Sequence, residues 1–287
     1  MQNQFGRAAI ACRGAARRGA VILVMAVAGL ALQPAWAEGV GDVECPTTFS
    51  PLKGQQALLT MAEHVADGVQ ILAIGSSSTE GVGASSPASA YPNQLEATLK
   101  GLFPEADISV QNAGVGGETA DTTVARLEEA LRHSAKPDLV IWQVGTNDAV
   151  RGGNEDQFQA LLERGVAAVR QAGASLILLD QQFYPTIPDL ARYERYVAMV
   201  GTAADKAAVG VFSRYQMMRS WDATDPGVLS AMLSKDRFHM GDRGYRCLAQ
   251  ALRREIASAV ETPLTRSITV ARGKRVVPTS GMVARRS

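Results

Sequence analysis

Four short segments carry the residues that could do chemistry. In chain order they are Gly75-Ser76-Ser77-Ser78, Asn112-Ala113-Gly114-Val115-Gly116-Gly117, Gly145-Thr146-Asn147-Asp148 and Asp236-Arg237-Phe238-His239. Together they supply a serine, a carboxylate three residues before a histidine, and two loops able to aim N–H donors at a developing oxyanion, which is what acyl transfer needs. A serine hydroxyl is a poor nucleophile until a base takes its proton, so Ser77 requires a histidine within reach. His239 is the candidate. His64, before the first strand, and His133, near the end of a helix, read as surface residues. Asp236 can accept the second ring N–H and so fix the useful tautomer. Gly114, Gly116 and Gly117 leave the backbone free to point an N–H at substrate or to turn into a helix near Thr119, and the Asn147 amide is a donor of the same kind. Asn112 and Asp148 read as loop supports.

Taken singly, each segment has a plainer reading. The stretch 75–80 is also a serine-rich polar turn, and Asn147 a turn residue after a strand. Gly75-x-Ser77-x-Thr79 lacks the second glycine of a nucleophile elbow. It is the four together that point to a site.

The elements that must position them follow from apolar patterning. Residues 69–74 form a short apolar run ended by Gly75, a buried strand and a tight turn; 108–112, 139–144, 176–179 and 209–212 read as four further strands. Leu95, Leu99 and Leu102 lie at helical spacing, as do Phe158, Leu161, Leu162, Val166 and Val169 ahead of Gly173; residues 245–260 read as the last helix. Strands alternating with helices predict an α/β domain with a parallel sheet, whose ligands bind beyond the carboxyl ends of the strands. Three of the four segments fall at such ends.

The order and spacing of the segments resemble the SGNH hydrolase family, also called GDSL hydrolases, over about residues 69–256. The resemblance implies a three-layer α/β/α sandwich with a flavodoxin-like sheet of about five strands. It also implies Ser77, Asp236 and His239 as catalytic residues, with Ser77, Gly117 and Asn147 as oxyanion donors. Ser76 stands where the family usually has Asp, which puts the hydrogen bonding of that turn in question.

The N-terminus concerns location. Arg7, Arg13, Arg17 and Arg18 precede an apolar run over 20–32 and the small-residue pattern Ala35-Trp36-Ala37, which reads as a secretory signal peptide over 1–37, cut before Glu38. A retained anchor is the alternative, though the run is short for a bilayer. Arg17-Arg18 is only a weak twin-arginine signal. The expected organisation is then a hydrolase-like domain over 38–261, opening with an irregular arm to about Lys53, and a basic disordered tail over 262–287.

The chain carries a net +1; the leader holds four arginines and no acid, and the tail six basic residues and no acid, which leaves the body strongly acidic. That excludes a nucleic-acid surface, which needs basic residues on the fold. Cys12 leaves with the leader, and Cys45 and Cys247 remain either as one disulfide or as two buried thiols. Three histidines without a ligand pattern argue against zinc, and the expected chemistry needs no metal or organic cofactor.

The expected function is ester hydrolysis through an acyl-enzyme on Ser77, exported to the periplasm or beyond. The substrate would be a small-molecule or glycan ester, short-acyl (acetyl) first. Two alternatives stay open: a lysophospholipase- or thioesterase-type acylhydrolase for longer chains, and a non-catalytic glycan-binding protein on the same fold. Val228, Leu229, Met232 and Leu233 line either an acyl slot or the core. Trp142 and Tyr184 either stack on a sugar or pack.

Overall fold

A computed structural model describes residues 45–46, 51–54, 58, 68–133 and 136–273, the last fourteen as backbone. They fall within the compact unit Asp42–Ser287. The strands are β1 (Leu52–Lys53), β2 (Val69–Gly75), β3 (Ile108–Gly114), β4 (Leu139–Gln143), β5 (Ser175–Leu179) and β6 (Gly210–Phe212). The helices are α1 (Ser77–Glu80), α2 (Tyr91–Leu102), α3 (Ala120–His133), α4 (Thr146–Arg151), α5 (Glu155–Ala172), α6 (Leu190–Ala207), α7 (Arg214–Thr224), α8 (Pro226–Met232) and α9 (Asp242–Gly273).

Strands β4, β5 and β6 are buried at every position, which is why they read as unbroken apolar runs: a parallel sheet is covered on both faces. Side chains alternate between two cores. Ile71, Ala73, Leu139, Ile141, Ile177 and Leu179 face α2 and α9; Leu72, Ile74, Val140, Trp142, Leu176 and Leu178 face α3, α5 and α6. The result is the expected α/β/α sandwich.

The sheet order is β1-β6-β5-β4-β2-β3. Its five parallel strands run in the flavodoxin-like order, with the switch point between β2 and β4, the position beyond whose strand ends ligands bind in such sheets. The sixth strand is a departure. Leu52 and Lys53, expected in an irregular arm, pair antiparallel with Phe212 and Val211, and Pro51 O accepts from Ser213 N at 2.8 Å. Two residues are too few to show a period, yet they cover the open edge of an apolar strand.

One other expectation is corrected. Helix α9 continues past Glu261 to Gly273, so the first part of the supposed irregular tail is helical. Leu264, Ile268 and Ala271 do lie at helical spacing, and the prolines and glycines around them mask it. Leu95, Leu99 and Leu102 all fall in α2, as their spacing predicts; Leu95 and Leu99 are buried and Leu102 closes the helix facing solvent. Residues 1–44, His64 and 274–287 lie outside the described residues, and with them the leader and the rest of the tail. No helix among the described residues is long and apolar enough to cross a membrane.

A disulfide joins Cys45 to Cys247, with 5.4 Å between Cα atoms and a sequence separation of 202.

Candidate active site

Strand β2 ends at Gly75, and the chain turns at once into α1, whose first residue is Ser77. The turn is fastened to the neighbouring strand. Gln143, the last residue of β4, accepts on Oε1 from Ser76 N at 2.9 Å, Ser76 Oγ at 3.1 Å and Thr79 Oγ1 at 3.3 Å. The Ser76 departure is thus accommodated: a buried hydroxyl needs a partner, and Gln143 provides it. On the other side β3 comes very close, because a Cβ on Gly114 would run into the Glu80 backbone nitrogen.

The histidine comes from the loop between α8 and α9. An antiparallel bridge between Leu233 and Met240 closes that loop at its base, and Arg237 takes a positive φ of 56° at its tip. Asp236 organises the rest. Its Oδ1 accepts from Ser234 Oγ at 2.6 Å and from the backbone N–H of Phe238 and His239, each at 2.9 Å. Its Oδ2 accepts from His239 Nδ1 at 2.7 Å. Burial opposes ionisation of Asp236, but the hydrogen bonds from Ser234, His239 and the two backbone N–H groups outweigh it and hold the carboxyl well below the usual range. Because a carboxylate only accepts, Nδ1 bears the proton and Nε2 is left as an acceptor. Ser77 Oγ lies 2.9 Å from that Nε2.

The donor side is built by two further loops. Gly117 has φ 78°, which favours glycine, and stands exposed. Asn147 Nδ2 donates to Glu118 O at 2.7 Å, using one of its two N–H groups to tie α4 to the glycine loop. Asn112 Oδ1 accepts from Gly114 N at 3.0 Å, and buried Asp148 accepts from Ala120 N at 3.0 and 3.2 Å, capping α3. Burial raises the Asp148 carboxyl against that bond. Both residues hold loops, as read from the sequence.

Three positions were not legible in advance. Arg126 grips Glu118 with Nε and Nη2 at 2.7 and 2.6 Å, and donates to Ala113 O at 2.9 Å, pinning the glycine loop to the end of β3. Gln143 is the second, the acceptor for Ser76 and Thr79. Gln182, just past β5, accepts from Ser78 Oγ at 2.6 Å and donates to Phe238 O at 2.9 Å, and so ties the serine turn to the histidine loop. All three are common polar types whose partners lie far off in sequence, and no local pattern marks them.

Other expectations resolve as packing. Leu229 and Met232 are wholly buried, and Val228 and Leu233 are half-buried against the same core, so this segment packs inward. Trp142 is buried against Gly165, where a Cβ would collide with its ring, so it is unavailable to a sugar. Tyr184 is buried too, its ring edge-on to Phe238 with centroids 4.7 Å apart, and Phe238 stands edge-on to His239 at the same spacing. His133 is exposed and pairs with Glu129 at 3.1 Å.

Residues 44–262 match the non-GDSL lipase-like family. The chain belongs to that family. Its name is in keeping with Gly75-Ser76-Ser77-Ser78, where Ser76 replaces the aspartate of the wider group. An arylesterase from Vibrio mimicus is 25% identical over 127 residues, 38% of this chain and 63% of that protein. An acetylxylan esterase from Geobacillus stearothermophilus is 26% identical over 183 residues, 58% of this chain and 80% of that protein. A two-domain esterase active on acetylated mannans superposes with a TM-score of 0.59 at 23% identity, covering 71% of this chain and 53% of its own. The chain therefore spans less than two thirds of the arylesterase and about half of the two-domain enzyme. This family member has the SGNH-type fold.

Proposed function

We propose that this protein is a carboxylic ester hydrolase that works through an acyl-enzyme on Ser77. One observation carries the reading: the unbroken line from Asp236 Oδ2 through His239 to Ser77 Oγ, with links of 2.7 and 2.9 Å. In the proposed cycle His239 Nε2 takes the Ser77 proton as Oγ attacks the ester carbonyl. The carbonyl oxygen gains charge, and the N–H groups of Ser77 and Gly117 and the second N–H of Asn147 receive it. Asp236 stabilises the imidazolium, which then protonates the departing alkoxide. Water, deprotonated by the same nitrogen, attacks the acyl group and releases the acid and free Ser77. The step is complete with these residues alone.

Acetyl esters of glycans are the substrate class we favour. Support comes from two relatives whose names cite acetylated xylan or mannan, and from the burial of Leu229 and Met232, which leaves only half-buried Val228 and Leu233 of that segment to meet a longer acyl chain. Export through a leader over 1–37 completes the proposal, because such polymers lie outside the cell membrane. A stopped-flow burst of nitrophenol from nitrophenyl acetate, stoichiometric with protein, tests the mechanism. A panel of longer acyl esters tests the chain length: activity rising beyond butyrate would overturn the acetyl preference, and binding of acetylated xylan without turnover would reinstate a glycan-binding protein.

A further inference from the structure

Helix α4 supplies a second polar group to the donor side of the site. Asn147 and Arg151 lie four residues apart, so their side chains rise from one face of the helix, a turn from each other. Arg151 Nη2 stands 3.3 Å from where a Cβ on Gly117 would be, so the guanidinium rests against the glycine proposed above as an oxyanion donor. Gly117 has no side chain to fill that space.

The contrast with nearby arginines is informative. Arg126 is paired with Glu118, Arg195 with Glu155, and Arg192 donates to Gly153 O at 3.4 Å. Arg151 is exposed, and among the described residues no hydrogen bond or ion pair of its side chain is found. Its through-space partner Asp148 is buried and already bonded to Ala120 N. At the preceding glycine of the same loop, Glu80 Oε2 stands 2.8 Å from where a Cβ on Gly116 would be. The glycine loop thus meets a carboxylate at Gly116 and an unpaired guanidinium at Gly117.

We propose that Arg151 is a specificity-determining residue: it forms an anion subsite, and esters carrying a carboxylate or phosphate near the scissile carbonyl are preferred over neutral counterparts. The planar guanidinium fork suits both groups, and the Glu80 carboxylate beside Gly116 repels them, which favours their seating at Arg151. This inference rests on the ester-hydrolase reading above.

The test compares phenyl acetate with its meta-carboxy and meta-phosphono derivatives. Charge-assisted hydrogen bonds of this kind are expected to favour the anionic esters about tenfold in kcat/KM. Arg151→Gln should remove that advantage through KM, Arg151→Lys should keep part of it, and rising ionic strength should shrink it in the wild type. The two anionic arms tell a sugar-acid carboxylate from a phosphate headgroup. Equal loss on all three esters would overturn the proposal and make Arg151 a support for the oxyanion; so would a wild type without anionic preference. Calorimetry on Ser77→Ala, with and without Arg151→Gln, reads binding of the uncleaved esters separately. If the wild type turns over none of them, the ester-hydrolase reading fails, and the calorimetry still decides whether Arg151 selects anions.

Discussion

His239 Nε2 lies 2.9 Å from Ser77 Oγ across 162 residues of chain, and two glutamines make that approach possible. Gln143 holds the serine turn from β4, and Gln182 links the turn to the histidine loop. If the contact is the working one, Ser77→Ala should abolish all but residual turnover with an unchanged fold, and a phosphonate inhibitor should label Ser77 alone. Mass spectrometry of the labelled peptide checks this; modification of Ser76 or Ser78 would contradict it.

Asp236 has two separable tasks. Asp236→Asn keeps an oxygen for Ser234, Phe238 and His239, yet presents an N–H to Nδ1 and imposes the wrong tautomer. We expect kcat to fall by roughly 10⁴ with little change in melting temperature. Asp236→Ala should lose the loop as well, and so lower both. Equal melting temperatures for the two variants would show that the Oδ1 contacts contribute nothing.

Asn147→Ala removes a donor used mainly as charge develops, so kcat should drop by roughly 10² to 10³ with KM nearly constant. A rise in KM alone would reduce Asn147 to the tie it makes with Glu118.

Gln182→Glu keeps an acceptor for Ser78 but loses the donor to Phe238 O. A single lost hydrogen bond at a positioning contact is expected to lower kcat by about tenfold. Gln182→Leu, which cuts both ties, should cost more. Unaltered kcat in both variants would mean that the two loops hold their places without the bridge.

Asp180 makes stability depend on pH. It is fully buried at the end of β5, where it accepts from Ser213 Oγ at 2.7 Å and Tyr215 N at 2.8 Å. Burial pushes its carboxyl up to about 7, over the opposing effect of those bonds and Arg214. The folded form therefore holds its proton more tightly than the unfolded chain, and this group's contribution to stability declines as pH rises from about 4 to about 7. Thermal melts of Asp180→Asn and wild type across that window should diverge, with the variant gaining relative to wild type toward pH 7. Parallel curves would refute it.

What could be read in advance was whatever is local. The apolar runs at 69–74 and 139–144 announce strands because burial on both faces leaves each with a single polar residue, and Asp236 and His239 are legible as a pair because only two residues separate them. The rest depends on distance in sequence. Gln182 is unremarkable until Ser78 and Phe238 are brought beside it, Trp142 looks like a ligand platform until Gly165 closes over it, and Leu52 and Lys53 gain meaning only from Val211 and Phe212.

The bond between Cys45 and Cys247 turns the intervening chain into a closed ring that contains every residue of the proposed machinery. A protease that cuts one exposed loop would open the ring into a nicked molecule and release no fragment. On a denaturing gel the nicked protein should run as one species until a reductant splits it in two, so such damage would leave the serine and histidine segments tethered to each other.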